Sequence, residues 1–157
     1  MPMKRTLLSI TLLLAAGSAR ASEITAFVSK ATPDANWAAG VGGAFSISFF
    51  SIVHFEGELA RQSGELPDTS MYSLTGSALL APPTDKFVPY AGLGVGVFRQ
   101  KDRTRSDNGT HSALIAGLKL KLGPIFVVKG EYRRFSLSGE PLFKYENRFS
   151  VGAGLSF

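Results

Sequence analysis

Two short stretches of the chain carry charge at every second position: His54, Glu56 and Glu58 in one, Lys129, Glu131 and Arg133 in the other. Residues spaced by two share one face of an extended strand. Acids and bases gathered in this way serve one of two chemistries, structural ion pairing or the passage of ions along a polar path. Lys119, Lys121 and Arg148 occupy equivalent positions in two further stretches and join the same set. Other chemistry finds less support. His111 and Ser112 are adjacent, and neighbours on a strand point to opposite faces, so they cannot readily share the hydrogen bond that activates a serine nucleophile. Two histidines and no cysteine make no transition-metal set. Gly92, Gly94 and Gly96 resemble a phosphate-binding loop, but no helix follows them. Glycines on an inner wall, leaving room for bulky side chains opposite, are the simpler explanation. The chain is therefore read as a non-enzyme, with no catalytic residue, cofactor or metal site.

The elements that must position these charges are strands. The clearest is the last. From Phe149 to Phe157 every second residue is apolar (Phe149, Val151, Ala153, Leu155, Phe157), and Ser150, Gly152, Gly154 and Ser156 lie between. An exposed terminal Phe suits the aromatic girdle of a transmembrane barrel. Similar alternation recurs over Ser22–Lys30, Asn36–Ser48, Ile52–Gln62, Met71–Ala81, Phe87–Phe98, Ser112–Leu122 and Ile125–Ser136, making eight strands. One face of each is greasy; the other is glycine, serine and charge. That second face is too small and polar to cover a soluble core, so the greasy face must meet lipid. The spacing predicts an all-β, eight-stranded, antiparallel, up-and-down transmembrane barrel. Trp37, Tyr72 and Tyr132 are expected at the outer aromatic belt and Phe87, Phe126 and Phe157 at the periplasmic one. Connections after strands two, four and six are short, around Phe49–Ser51, Pro82–Lys86 and Gly123-Pro124. The others are expected to be longer, with Arg99–His111 the longest.

Residues 1–21 have the physics of a cleaved secretory signal peptide: Lys4 and Arg5, an apolar run over Thr6–Gly17, then Ala19-Arg20-Ala21. The mature domain is read as 22–157, cleaved after Ala21. Removing Lys4, Arg5 and Arg20 from 17 basic residues leaves 14 against 12 acidic ones. A mature charge of +2 removes the main electrostatic argument for nucleic-acid binding. An exported chain without cysteine needs another source of stability, and a closed barrel satisfies its backbone internally.

Pro89-Tyr90-Ala91-Gly92-Leu93-Gly94-Val95-Gly96-Val97, Gly130-Glu131-Tyr132-Arg133-Arg134-Phe135 and the closing Phe157 resemble small outer-membrane β-barrel proteins of the OmpA-like and OmpX-like kind. The resemblance covers nearly the whole mature chain. It implies residence in the outer membrane of a Gram-negative cell. Short turns on the periplasmic side and longer loops outside would place both termini in the periplasm. It also implies that Phe149, Val151, Ala153, Leu155 and Phe157 are read by the barrel-assembly machinery. The family includes structural proteins, adhesins, porin-like channels and a few lipid A-modifying enzymes. The His-x-Ser-Asn pattern of its deacylases is absent, and no cell-wall-binding domain follows Phe157 in this sequence.

An eight-stranded lumen is just wide enough for side chains to fill, and charges inside it must be paired. Parity sets a register: with Leu122 facing Phe126 and Leu120 facing Val128, Lys119 stands opposite Lys129. Those like charges need carboxylates. Glu131 lies one pleat away, and Glu56 and Glu58 can reach from the far wall. Glu56, Glu58, Lys119, Lys121, Lys129, Glu131, Arg133 and Arg148 are thus expected to form a plug of crossed ion pairs. A narrow channel for ions or small solutes through the same groups is the rival. The segment Arg99–Thr110 reads as a basic external loop with a turn at Asn108-Gly109. Its Arg99, Lys101, Arg103 and Arg105 suit lipopolysaccharide phosphates or a polyanion, unless they are simply solvated. The protein is expected to be monomeric, with a structural or surface-interacting role.

Overall fold

The computed structural model describes residues 22–33, 36–49 and 51–157. The signal-peptide reading of residues 1–21 therefore lies outside the described residues. Eight strands follow one another: β1 (Ser22–Thr32), β2 (Trp37–Phe49), β3 (Val53–Gly64), β4 (Ser70–Leu80), β5 (Phe87–Lys101), β6 (Ser106–Leu122), β7 (Phe126–Leu137) and β8 (Asn147–Ser156). Each pairs antiparallel with the next, and β8 returns to β1, closing the barrel. Ser22 and Phe157 exchange backbone hydrogen bonds at 2.8 and 2.9 Å, sealing the seam at one end. Among the described residues no strand edge is left unpaired, as a lipid environment requires.

Apolar and polar residues alternate because the pleat sends successive side chains to opposite faces. The register expected between β6 and β7 is present: Leu122 pairs with Phe126, Leu120 with Val128 and Lys119 with Lys129. Starting at Leu118 on β6, the pairing row runs through Gly130, Val151, Val28, Val41, Arg61, Tyr72 and Arg99. It returns to β6 at Asn108, ten residues from its start. With a rise of about 3.3 Å and a strand spacing of about 4.8 Å, this stagger tilts the strands by roughly 40°. On β5 the outward apolar run from Phe87 to Val97 then covers about 25 Å of height, the usual apolar band of an outer-membrane barrel.

Three expectations need correction. First, β5 and β6 continue past the expected boundaries and pair up to Lys101 and Ser106. Asn108 and Gly109 belong to β6 and make no turn; the connection is 102–105. Backbone pairing with a neighbour has overridden a local turn signal there. Second, the longest connection is 138–146, between β7 and β8. The β4–β5 connection, 81–86, is longer than 102–105, so the expected asymmetry of connection lengths is not a general property of this barrel. Third, Trp37 is fully buried in the lumen and is not part of an outer belt. A register shift between Trp37 and Gly40 reverses its side. The Gln62 amide donates to the Ala38 carbonyl at this irregularity, at 2.6 Å.

Candidate functional site

The lumen is layered. Its upper end carries the β1–β2, β3–β4, β5–β6 and β7–β8 connections. Near the lower end, the Lys119 ammonium on β6 pairs with Glu23 on β1. At mid-height, Lys129 pairs with Glu56 at 2.6 Å and with Glu131 at 3.0 Å. Arg133 contacts Glu56 at 2.6 Å, Glu58 at 3.0 Å and Glu131 beside it. Arg148 gives one Nη to both oxygens of Glu58, at 2.7 Å each. Strand β3 thus supplies two acids to bases from β7 and β8 on the opposite wall. Three carboxylates and three cations balance, and both arginines are 0% exposed.

The oxygens of Glu56, Glu58 and Glu131 come within 4.8 Å of one another, close enough to hold a metal ion. The same carboxylates are the ones engaged by Lys129, Arg133 and Arg148, so the donor set is already neutralised. Tyr90 completes the layer. Its hydroxyl donates to Glu131 at 2.9 Å, and Lys129 sits 5.2 Å above its ring. A Cβ at Gly117 would collide with that ring, so the glycine is what admits it. Phe27 and Phe135 cover the Arg148 guanidinium at 5.0 and 5.5 Å from their centroids.

Above the charges the lumen is aromatic. The β7–β8 connection folds into the mouth and brings Phe143 and Tyr145 against Trp37, with ring centroids 6.2 and 5.3 Å away. The Trp37 indole donates to the Lys144 carbonyl at 2.6 Å. Gln100 exchanges two hydrogen bonds with the Phe143 backbone, both 3.0 Å. His111 is buried beneath, held by Thr75 at 2.9 Å, and Gly96 leaves the space its ring fills. Ser112 points outward, so the two neighbours do not meet.

Lys121 departs from its expected place. It is exposed at the lower mouth, donates to the Thr84 carbonyl at 3.3 Å, and belongs to no ion pair among the described residues. Two residues below Lys119, the lumen has already opened to solvent. His54 also sits at this mouth, with its Nδ1 2.8 Å from the Ser48 hydroxyl. No carboxylate meets its other nitrogen among the described residues, so no triad forms there. Arg99 and Lys101 stand on β5 with outward side chains, while Arg103 and Arg105 occupy the 102–105 connection. Phe149, Val151, Ala153, Leu155 and Phe157 all face outward.

The sequence reading missed Glu23, Tyr90, Trp37, Gln100, Phe143 and Tyr145. Glu23 and Tyr90 were within reach, since both share the parity of inward residues on their strands. The aromatic cap was not, because nothing local marks a connection that folds inward.

A family model described as outer membrane protein beta-barrel domain matches residues 9–157. No curated protein matches the sequence. Among solved structures, the N-terminal β-barrel domain of Pseudomonas aeruginosa OprF is similar, with 21% identity and a TM-score of 0.60 over 88% of this chain and 98% of that one. Neisserial surface protein A gives 18% identity and a TM-score of 0.62, covering 87% and 94%. Yersinia pestis Ail, in complex with the heparin analogue sucrose octasulfate, gives 17% and 0.58, covering 87% and 98%.

Proposed function

Because the chain belongs to the outer membrane protein beta-barrel domain family, we propose that it is a monomeric barrel whose lumen is closed and whose work is done by its outer surfaces. The upper end faces outside and both termini lie in the periplasm. The observation that carries this reading is the crossed ion-pair layer. Glu56 and Glu58 are held from the opposite wall by Lys129, Arg133 and Arg148, with no exposed guanidinium among them. An ion crossing this layer must break several buried pairs at once, each break leaving an uncompensated charge. The aromatic cap adds a second barrier above it.

The upper rim offers the surface. Arg99, Lys101, Arg103 and Arg105 are exposed there, with Arg103 held by Asp68 at 3.3 Å. These cations suit lipopolysaccharide phosphates or a sulfated polyanion. Ail, of the same fold, is the barrel in complex with a heparin analogue. During biogenesis the outward residues of β8, ending at Phe157, are the part offered to the assembly machinery.

The test is conductance of the refolded protein in a planar bilayer, with heat-modifiable gel mobility to establish folding. Folded protein that stays silent, with Glu131→Gln lowering stability and opening no current, supports the closed lumen. Steady unitary currents altered by Glu131→Gln would make the protein a channel. Loss of acyl chains from the lipid A of expressing cells would make it an enzyme.

A further inference from the structure

The lipid-facing side of β3, β4 and β5 combines a cluster of cations with a hollow beneath it. Its outward residues pair in rungs: Ser63, Ser70 and Lys101 at the top, then Arg61, Tyr72 and Arg99, then Leu59, Leu74 and Val97. Next come Gly57, Gly76 and Val95, and below them Phe55, Ala78 and Leu93. Three cations therefore stand within two adjacent rungs, at the upper edge of the apolar band. The Arg61 guanidinium lies over the Tyr72 ring, 5.6 Å from its centroid, and Arg99 Nε donates to the Ser106 hydroxyl at 3.2 Å. Among the described residues Arg61, Arg99 and Lys101 pair with no carboxylate, whereas their neighbour Arg103 is engaged by Asp68.

Beneath these cations the surface is hollow. Gly57 and Gly76 are direct partners across β3 and β4, with the Leu59–Leu74 rung above and the Phe55–Ala78 rung below. An apolar groove of about 570 Å³ contains both glycines and is walled by Phe45, Phe55, Leu93 and Val95; a second, of about 610 Å³, runs from Gly57 past Leu59 toward Gly43, Ala26 and Ala153 on β2, β1 and β8. Gly57 lies four residues below Arg61 on a tilted strand, about 10 Å deeper in the membrane. On the far side, outward Gly130 pairs with Leu118 and Val151, so no second glycine extends it into a hollow.

We propose that this face seats one phosphorylated, multiply acylated lipid of the outer leaflet, a molecule of lipid A chemistry. Its phosphate rests on Arg61, Arg99 and Lys101, and an acyl chain occupies the Gly57–Gly76 hollow. Guanidinium groups match phosphate oxygens in geometry and charge. An anion there relieves the repulsion among three unpaired cations, and a flexible acyl chain fits an open apolar groove continuous with lipid. The seat rests on the reading that the upper rim meets anions, and narrows it to one face and one ligand class.

Native mass spectrometry of the refolded protein with bisphosphorylated lipid A, and with the same lipid dephosphorylated, tests the proposal. One phosphorylated lipid is retained per barrel, and the dephosphorylated form is not. Arg61→Gln with Lys101→Gln weakens retention roughly thirtyfold, as expected for two cations at a charged surface. Gly57→Leu fills the hollow and also weakens it. A Cβ meets nothing within 4 Å at Gly57 or at Gly130, so Gly130→Leu is the control, and heat-modifiable mobility establishes that each variant is folded. Arg134→Gln, on β7, serves as the charge control. Equal retention of both lipids, or unchanged retention by both test variants, overturns the seat. A soluble sulfated heparin fragment separates the two readings. If it binds while lipid retention fails, only the seat falls; if neither binds, the surface reading falls with it.

Discussion

At the scale of single residues, the lumen shows how a buried charge is made tolerable by number and geometry. Glu58 is the clearest case. It is 2% exposed and shared by Arg133, which also meets Glu56 and Glu131, and Arg148, whose ion pair it is. Glu58→Gln removes the negative charge and leaves two guanidinium groups facing one carboxylamide. A loss of about 3–5 kcal/mol is expected, because breaking a buried pair leaves the partner uncompensated. Equilibrium urea unfolding in lipid vesicles, followed by heat-modifiable mobility, reads this directly. Lys121→Gln, at the open lower mouth, is expected to change stability little on the same assay. The contrast between two residues assigned to one network by parity separates lumen position from lumen direction.

At the scale of elements, the connection 138–146 acts as part of the core. Trp37, Gln100 and Phe135 hold it through side-chain and backbone contacts, including Phe135 N–H to the Glu146 carbonyl at 2.7 Å. Burial pushes the Tyr145 phenol up from 10.0 to about 12, opposed by the Arg148 guanidinium and assisted by Glu58. Packing therefore favours the neutral phenol. The closure it contributes is complete below the pKa of an unpacked tyrosine, about 10, and is lost as pH rises toward 12. Limited proteolysis between 138 and 146 is expected to begin across that window while the barrel still migrates as folded. Tyr145→Phe removes the titration. Cleavage that begins well below pH 10, or an unchanged pH profile in Tyr145→Phe, would assign the closure to other groups.

At the scale of the whole molecule, the outer surface is set by the thickness of the apolar band. Leu118 faces lipid well inside the band, and Asn108 faces outward above it. Leu118→Arg is expected to cost about 2–4 kcal/mol and Asn108→Arg close to nothing, since the penalty depends on depth. Unfolding of both variants in vesicles checks the placement. Equal penalties would mean that the band lies higher on the barrel than the Phe87–Val97 run indicates.

Much of this was legible in the residues themselves. Period-two alternation specifies which side each residue takes, and eight such runs with no spare edge specify closure. The register of β6 on β7 followed from parity alone, as did the inward direction of Glu56, Glu58, Lys129, Glu131 and Arg133. Pattern fails where a contact is distant or where the ladder slips. Trp37 was turned inward by an irregularity that leaves no mark in the sequence beyond two ambiguous alanines. Lys119 found Glu23 on a strand that pairs with neither of its own neighbours. Residues 99–110 look like a loop until β5 and β6 are seen to extend each other, and 138–146 looks solvated until its aromatics meet Trp37. Alternation is a local consequence of the pleat, so sequence by itself determined strand number, facing and environment. Which charge meets which across the lumen, and what stops its upper mouth, depend on stagger around the closed ring, and only the tertiary structure decided them.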